Sequence, residues 1–231
     1  MNGMRHIILF ILVLFTAALS AQPVNQTDED GRKQGVWRKH FKEGGIRYEG
    51  EFKDDVEVGV FKFYYPDGTV AAIKTYDGTT GNCEAKMFHL KGQLASTGFY
   101  KGREKDGEWN YYNEEGQHVA VEHYQNGVLH GESKTFYSDG TVASAGNYEN
   151  GKMVGEWRDF YETQQLKTLM TYEDGKLHGI YKDFDIDGAI RSKGKYQNGF
   201  KEGIWILYDA NGTPEVKEVY KRGELESSEE L

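Results

Sequence analysis

Residues 126–148 read NGVLHGESKTFYSDGTVASAGNY, and residues 150–161, NGKMVGEWRDFY, begin the same pattern again. The unit is Asx-Gly, three residues, a second Gly, an aromatic-rich run ending near Phe136 and Tyr137, a turn at Asp139-Gly140, and a run closing at Tyr148. The closing aromatic recurs at Phe52, Tyr76, Tyr100, Tyr124, Tyr148, Tyr172, Tyr196 and Tyr220, always 24 residues apart. The opening position recurs from Gly31 to Gly223, with Asp55 replacing the Gly once. A fixed period of this length decides the architecture before any single residue is weighed.

Each repeat divides into two runs rich in aromatic and β-branched residues, such as Glu108–Tyr112 and Thr141–Tyr148, bounded by Gly, Asn and Asp. Such runs read as strands, and they are too short between breaks to stand as helices. Asp67-Gly68, Asp139-Gly140, Asp187-Gly188 and Asn211-Gly212 mark turns within repeats. Asp30-Gly31, Asp77-Gly78, Asn126-Gly127, Asn150-Gly151, Asp174-Gly175 and Asn198-Gly199 mark turns between them. Asx-Gly suits the two positive φ values of a type I′ turn, and the expectation is that turn at both places. Pro23, Pro66 and Pro214 all avoid strand interiors.

The expected fold is all-β: an elongated antiparallel meander of about eight tandem β-hairpins over residues 31–223. Sixteen strands at ~4.8 Å spacing would make a ribbon ~75 Å long and one layer thick. Its stability would come from cross-strand side-chain ladders worth roughly 0.2–1 kcal/mol per pair.

The pattern Asn/Asp-Gly-x-x-x-Gly-x-Trp-x-x-Phe/Tyr…Gly…Tyr resembles the MORN repeat variant of YwqK-family antitoxin-like proteins and of many bacterial exported proteins. Asn126-Gly127 with His130-Gly131, Asp174-Gly175 with His178-Gly179, and residues 151–172 carry the resemblance. It covers nearly the whole chain after residue 21 and implies a hairpin array used in protein interaction. The antitoxin name implies a cytoplasmic toxin partner, which conflicts with the start of this chain. Three sites depart from the pattern: Cys83 or Ala85 and Ser133 occupy aromatic slots, and Gln164 replaces a turn Gly. Either the repeat has drifted there, or repeats three to six form a specialised face.

Residues 1–21 carry Arg5, an apolar run at 7–15, and small residues ending Ala-Leu-Ser-Ala. This is the pattern of a secretory signal peptide, with cleavage expected between Ala21 and Gln22. The apolar run is short of the ~20 residues a membrane span needs. Export to the periplasm or the extracellular space follows. Residues 22–30 read as a polar lead-in, and residues 224–231, ELESSEEL, as a disordered acidic tail.

The chain has 28 Lys and Arg against 37 Asp and Glu, a net charge of −9. Acidity of this order disfavours nucleic acid and anionic membrane surfaces as partners. Cys83 is the single cysteine, so no internal disulfide is available, and it reads as a small semi-buried filler. His130 and His178 occupy equivalent positions ~19 Å apart, too far to share a metal ion. Asp183, Asp185 and Asp187 lack the closing Glu of a calcium loop, because Gly194 falls there. Nucleophile elbows and phosphate loops are absent. The reading is a non-enzymatic scaffold with no cofactor that binds a protein partner. Its candidate contact residues are Trp37, Trp109, Tyr112, Trp157, Tyr161, Trp205 and Tyr208, since aromatics supply much of interface energy. The alternative is a cell-wall or glycan-binding repeat protein that stacks sugars on solvent-facing Trp, as residues 107–116 suggest.

Overall fold

The computed structural model describes residues 23–231. The signal segment and its expected cleavage site at Ala21 and Gln22 lie outside the described residues. The described residues form eighteen strands. In chain order they are β1 (Gln26–Thr27), β2 (Lys33–His40), β3 (Ile46–Lys53), β4 (Val56–Tyr64), β5 (Val70–Asp77) and β6 (Cys83–Phe88). Next come β7 (Leu94–Lys101), β8 (Glu104–Tyr112), β9 (His118–Gln125), β10 (Val128–Phe136), β11 (Val142–Glu149) and β12 (Lys152–Phe160). The last six are β13 (Leu166–Glu173), β14 (Lys176–Phe184), β15 (Ile190–Gln197), β16 (Phe200–Tyr208), β17 (Pro214–Lys221) and β18 (Glu224–Glu230). Each strand pairs antiparallel with the one before and the one after it. The fold is therefore the expected hairpin meander in one open sheet.

The ends differ from the sequence expectation. The polar lead-in contributes β1, whose Gln26 carbonyl accepts the Trp37 indole N–H at 3.1 Å. The acidic tail is a strand, β18, paired along β17. Arg222 and Gly223 form a two-residue turn with φ of 49° and 85°, and Lys217 meets the Glu229 carboxylate at 2.7 Å. Charge alone suggested fraying, but the lysines of β17 give those carboxylates somewhere to go.

The turns are of two kinds. Between repeats, Asn126-Gly127, Asn150-Gly151, Asp174-Gly175 and Asn198-Gly199 have positive φ at both residues, as type I′ requires; at Asp30-Gly31 and Asp77-Gly78 only the Gly does, and the expected type I′ turn is corrected there. Within repeats, only the Gly is left-handed. Tyr65 closes on Thr69 across three residues, with Gly68 at φ 89°. Here the Asp67 carboxylate accepts the Thr69 backbone N–H at 2.9 Å, which stabilises a type I turn followed by a left-handed Gly. The expected type I′ geometry is corrected at these sites. Gln164 fills the same left-handed place at φ 67°, and its N–H donates to the Tyr161 carbonyl as that of Gly68 does to Tyr65.

One face of the sheet holds the core. Phe61, Trp109, Trp157 and Trp205, spaced by 48 residues, are all buried. Each ring lies on a glycine of the preceding strand: Gly50, Gly98, Gly146 and Gly194 respectively. These glycines are extended, and what matters is their missing side chain. The Trp109, Trp157 and Trp205 indole N–H groups donate to the carbonyls of Phe99, Asn147 and Lys195 at 3.1–3.2 Å. The preceding closing aromatic meets each ring edge-on, as Tyr148 meets Trp157 at 5.3 Å and 86°. Strand registers slip beside each glycine, between Ala145 and Asn147 for Gly146. Such bulges bend a strand and curl it around the ring, so Trp109 is only 1 % exposed on a one-layer sheet.

The small slot residues lie beside core glycines. Ala85 and Ser133 pair with Gly98 and Gly146, the glycines that Trp109 and Trp157 cover from the other side. Opposite Gly50 and Gly194 the same slot holds a ring, Trp37 and Tyr181. The structural unit is thus two hairpins, and two of the apparent departures belong to its alternation. Tyr181 faces Gly194 as a half-buried ring tilted against Trp205 at 5.4 Å.

Lysines close the rims of this face. The Lys105 ammonium lies 4.5, 5.0 and 4.8 Å from the ring centres of Trp109, Tyr111 and Tyr124. Lys201 sits likewise over Trp205 and Tyr220.

Replacing Gly146 with Ala places a methyl inside the Trp157 ring's volume. Overpacking of this kind costs about 1–3 kcal/mol. A urea melt of Gly146→Ala should show a lowered midpoint, corresponding to a loss of about 1–3 kcal/mol. Gly146→Ala paired with Trp157→Leu should recover part of the loss, and an unchanged single-variant midpoint would refute the packing described.

Candidate functional site

The aromatics expected to contact a partner serve the sheet instead. Trp109, Trp157 and Trp205 are buried with their N–H groups bonded, and Trp37 is half-buried with its N–H on β1. Tyr161 donates its hydroxyl to the Phe184 carbonyl at 2.9 Å. Tyr65 and Tyr137 make the same bond to Phe88 and Phe160, so these three tyrosines tie their repeats to the next. Tyr112 packs on His118 at 5.1 Å, and Tyr208 lies beneath the Lys193 ammonium at 5.4 Å. A rigid partner cannot reach the three buried indoles. Aromatic content did not reveal this, because ladders and interfaces select the same residue types.

A cleft of about 510 Å³ opens on the aromatic face at repeat three, lined by Glu57, Phe63, Lys74, Tyr76, Tyr100 and Arg103. It exists because Ala85 stands in the aromatic slot and Gly81 takes the place that Lys105 and Lys201 fill elsewhere. The Lys74 ammonium sits 4.2 Å from the Tyr100 ring centre. Cys83 is buried nearby, pairing with Tyr76 and Tyr100 on the adjoining strands. Burial pushes its thiol pKa up and that of Tyr76 up to about 12. A protonated, enclosed thiol is a poor nucleophile, so Cys83 belongs to the packing. Among the described residues, no group of three or more His, Cys, Asp and Glu is placed to hold a metal ion.

The opposite face carries the accessible apolar side chains. A groove of about 630 Å³ runs over the back of Gly194 between Ile180, Ile204 and Ile206, with Lys182, Lys193 and Lys195 along it and Glu202 at one side. Ile180 and Ile204 are 49 % and 57 % exposed. A smaller groove of about 270 Å³ occupies the equivalent place over Gly50, between Val36 and Val60 and beside Glu49, Glu51 and Lys62. These aliphatic positions were legible as the residues one before the aromatic slot, but a search for aromatics passes over them.

Alkaline titration checks the buried cleft residues. A phenol raised from 10.0 to about 12 stabilises the fold fully below pH 10 and loses that contribution as pH rises towards 12. The raised thiol acts in the same sense from its ordinary value of 9.0 upward. The urea midpoint should be level through neutral pH and fall between pH 9 and 12, with a shallower fall in Tyr76→Phe. Cys83 should resist a thiol reagent until denaturant is added, and rapid labelling of the native chain would contradict its enclosure.

Four segments, residues 57–77, 105–126, 129–150 and 201–222, match the family described as MORN repeat variant. No curated protein matches the chain. The matched segments fall in the hairpin array, two of them separated by 48 residues from the start of one to the start of the next. The chain is a β-hairpin repeat protein that carries the MORN repeat variant.

Proposed function

We propose that the protein is an exported, non-enzymatic repeat scaffold that binds another protein through the sheet face opposite its aromatic core. One observation carries this reading. Outside the cleft at repeat three, the aromatic face is filled by its own rings and lysines, while Val60, Phe99, Ile180 and Ile204 stand exposed on the other side. Exposed apolar groups grouped among charges are the ordinary form of a protein contact surface. Export is supported by the signal-like pattern of residues 1–21. The glycan alternative loses support, because three of the four Trp that would stack on sugars are buried.

The test is in-cell crosslinking of the tagged full chain, followed by mass spectrometry. A protein other than the chain itself should be enriched, with crosslinks mapping to opposite-face lysines such as Lys86 and Lys134. Phe99→Ser with Val60→Ser should lose it at an unchanged melting temperature. Capture that persists in this variant, or enrichment of no foreign protein, would overturn the reading.

A further inference from the structure

The opposite face repeats the same four positions every 48 residues: one on each strand flanking a core glycine, and two on the glycine's own strand. The first copy is Val36, Glu49, Glu51 and Val60. The two central copies are Glu84, Thr97, Phe99 and Glu108, then Glu132, Ala145, Asn147 and Glu156. The last is Ile180, Lys193, Lys195 and Ile204. Only the terminal copies carry aliphatics on both flanks, and both of these are grooves. The central copies have exposed Glu at both flanks, which breaks up any apolar groove there. Between the first copy and the last, the pair on the glycine strand reverses sign, from two carboxylates to two ammonium groups.

We infer that the groove over Gly194 of one molecule docks against the groove over Gly50 of a second copy of this chain. This rests on the reading that the opposite face is the protein-binding face. The two surfaces occupy equivalent positions of the repeat, three 48-residue units apart. Isoleucine and valine side chains supply the apolar contact, and Lys193 and Lys195 face Glu49 and Glu51. Glu49 already meets Arg38 at 3.1 Å and the Tyr64 hydroxyl at 2.6 Å, so Glu51, which is exposed, is the stronger attractor. Among the remaining rim charges, Glu202 on one side has Arg38 and Lys62 as opposites on the other, while Lys182 has none. Two docked copies of the last groove would bring lysines onto lysines, which like-charge repulsion opposes. The contact is therefore heterologous, and each molecule of a docked pair keeps its other groove free. Such contacts build open chains, or rings if the rotation closes. The central Glu pairs stop the copies from sliding along one another, because a slipped register would set an isoleucine against a carboxylate.

Sedimentation of the purified full chain over a wide concentration range tests this directly. The weight-average mass should rise with concentration past that of a dimer. It should fall back in ~1 M salt, where screening shortens to about 3 Å. Lys193→Glu/Lys195→Glu and Glu49→Lys/Glu51→Lys should each be monomeric alone and should associate when mixed, since each then offers what the other lacks. Ile204→Ser should weaken association and leave the melting temperature unchanged. A wild-type chain that stays monomeric throughout, a mass that saturates at the dimer, or a mixture that fails to associate would overturn the inference. The measurement is separate from foreign-protein capture: a monomeric chain that still captures a partner refutes only the self-contact. A self-associating chain that captures nothing foreign refutes only the scaffold reading.

Discussion

An aromatic ring resting on a bare glycine backbone is the contact on which the sheet depends. A single antiparallel layer has no second layer to bury side chains against. This chain makes one face bury itself. Gly50, Gly98, Gly146 and Gly194 leave side-chain-sized gaps, and Phe61, Trp109, Trp157 and Trp205 fill them from the next strand. Each indole then gives its N–H to a carbonyl of the strand it lies on, so the polar atom is satisfied where water is excluded. The glycine is as necessary as the ring, because any side chain there lifts the ring into solvent.

That contact sets the division of labour between the faces. The closing aromatics stand against the knob rings, and Lys105 and Lys201 lie over them. Apart from the cleft at repeat three, the face is consumed by its own packing. What remains for a partner is the other side, where surface ion pairs such as Lys134 with Glu132 and Arg158 with Glu156 alternate with aliphatics. Neighbouring hairpins are bonded mostly to each other, so stability approaches a sum over repeats and their interfaces. A side chain on the opposite face can then vary from repeat to repeat with little effect on the fold. The four copies of the quartet, identical in backbone role and different in chemistry, show that freedom in use.

Most of the fold was readable before any coordinates. The 24-residue spacing of the closing aromatics gave hairpin number and order, and Asn126-Gly127 and its equivalents gave the turns between repeats. The turns within repeats were misread, because Asp-Gly serves two geometries. Only the Asp67 carboxylate reaching the Thr69 N–H selects the type I form. The tail was misjudged because its acidity was weighed without its neighbours. Lys217 on the adjoining strand is what makes Glu229 a strand residue. The 48-residue unit was present in the spacing of the four glycines, yet it is invisible until the rings are seen to cover them.

The sequence by itself determined the class, the period, the strand direction and the type I′ turns, since these follow from local chemistry repeated at fixed intervals. The tertiary structure alone decided which face the aromatics occupy and how deeply. Burial depends on the bulges that curl each strand around its ring, and a bulge is a relation between two strands that no single stretch encodes. For the same reason Trp109, Trp157 and Trp205 read as contact residues in the sequence and as core in the structure. The accessible surface fell to Ile180, Ile204 and their equivalents, one position away on the other side of the pleat.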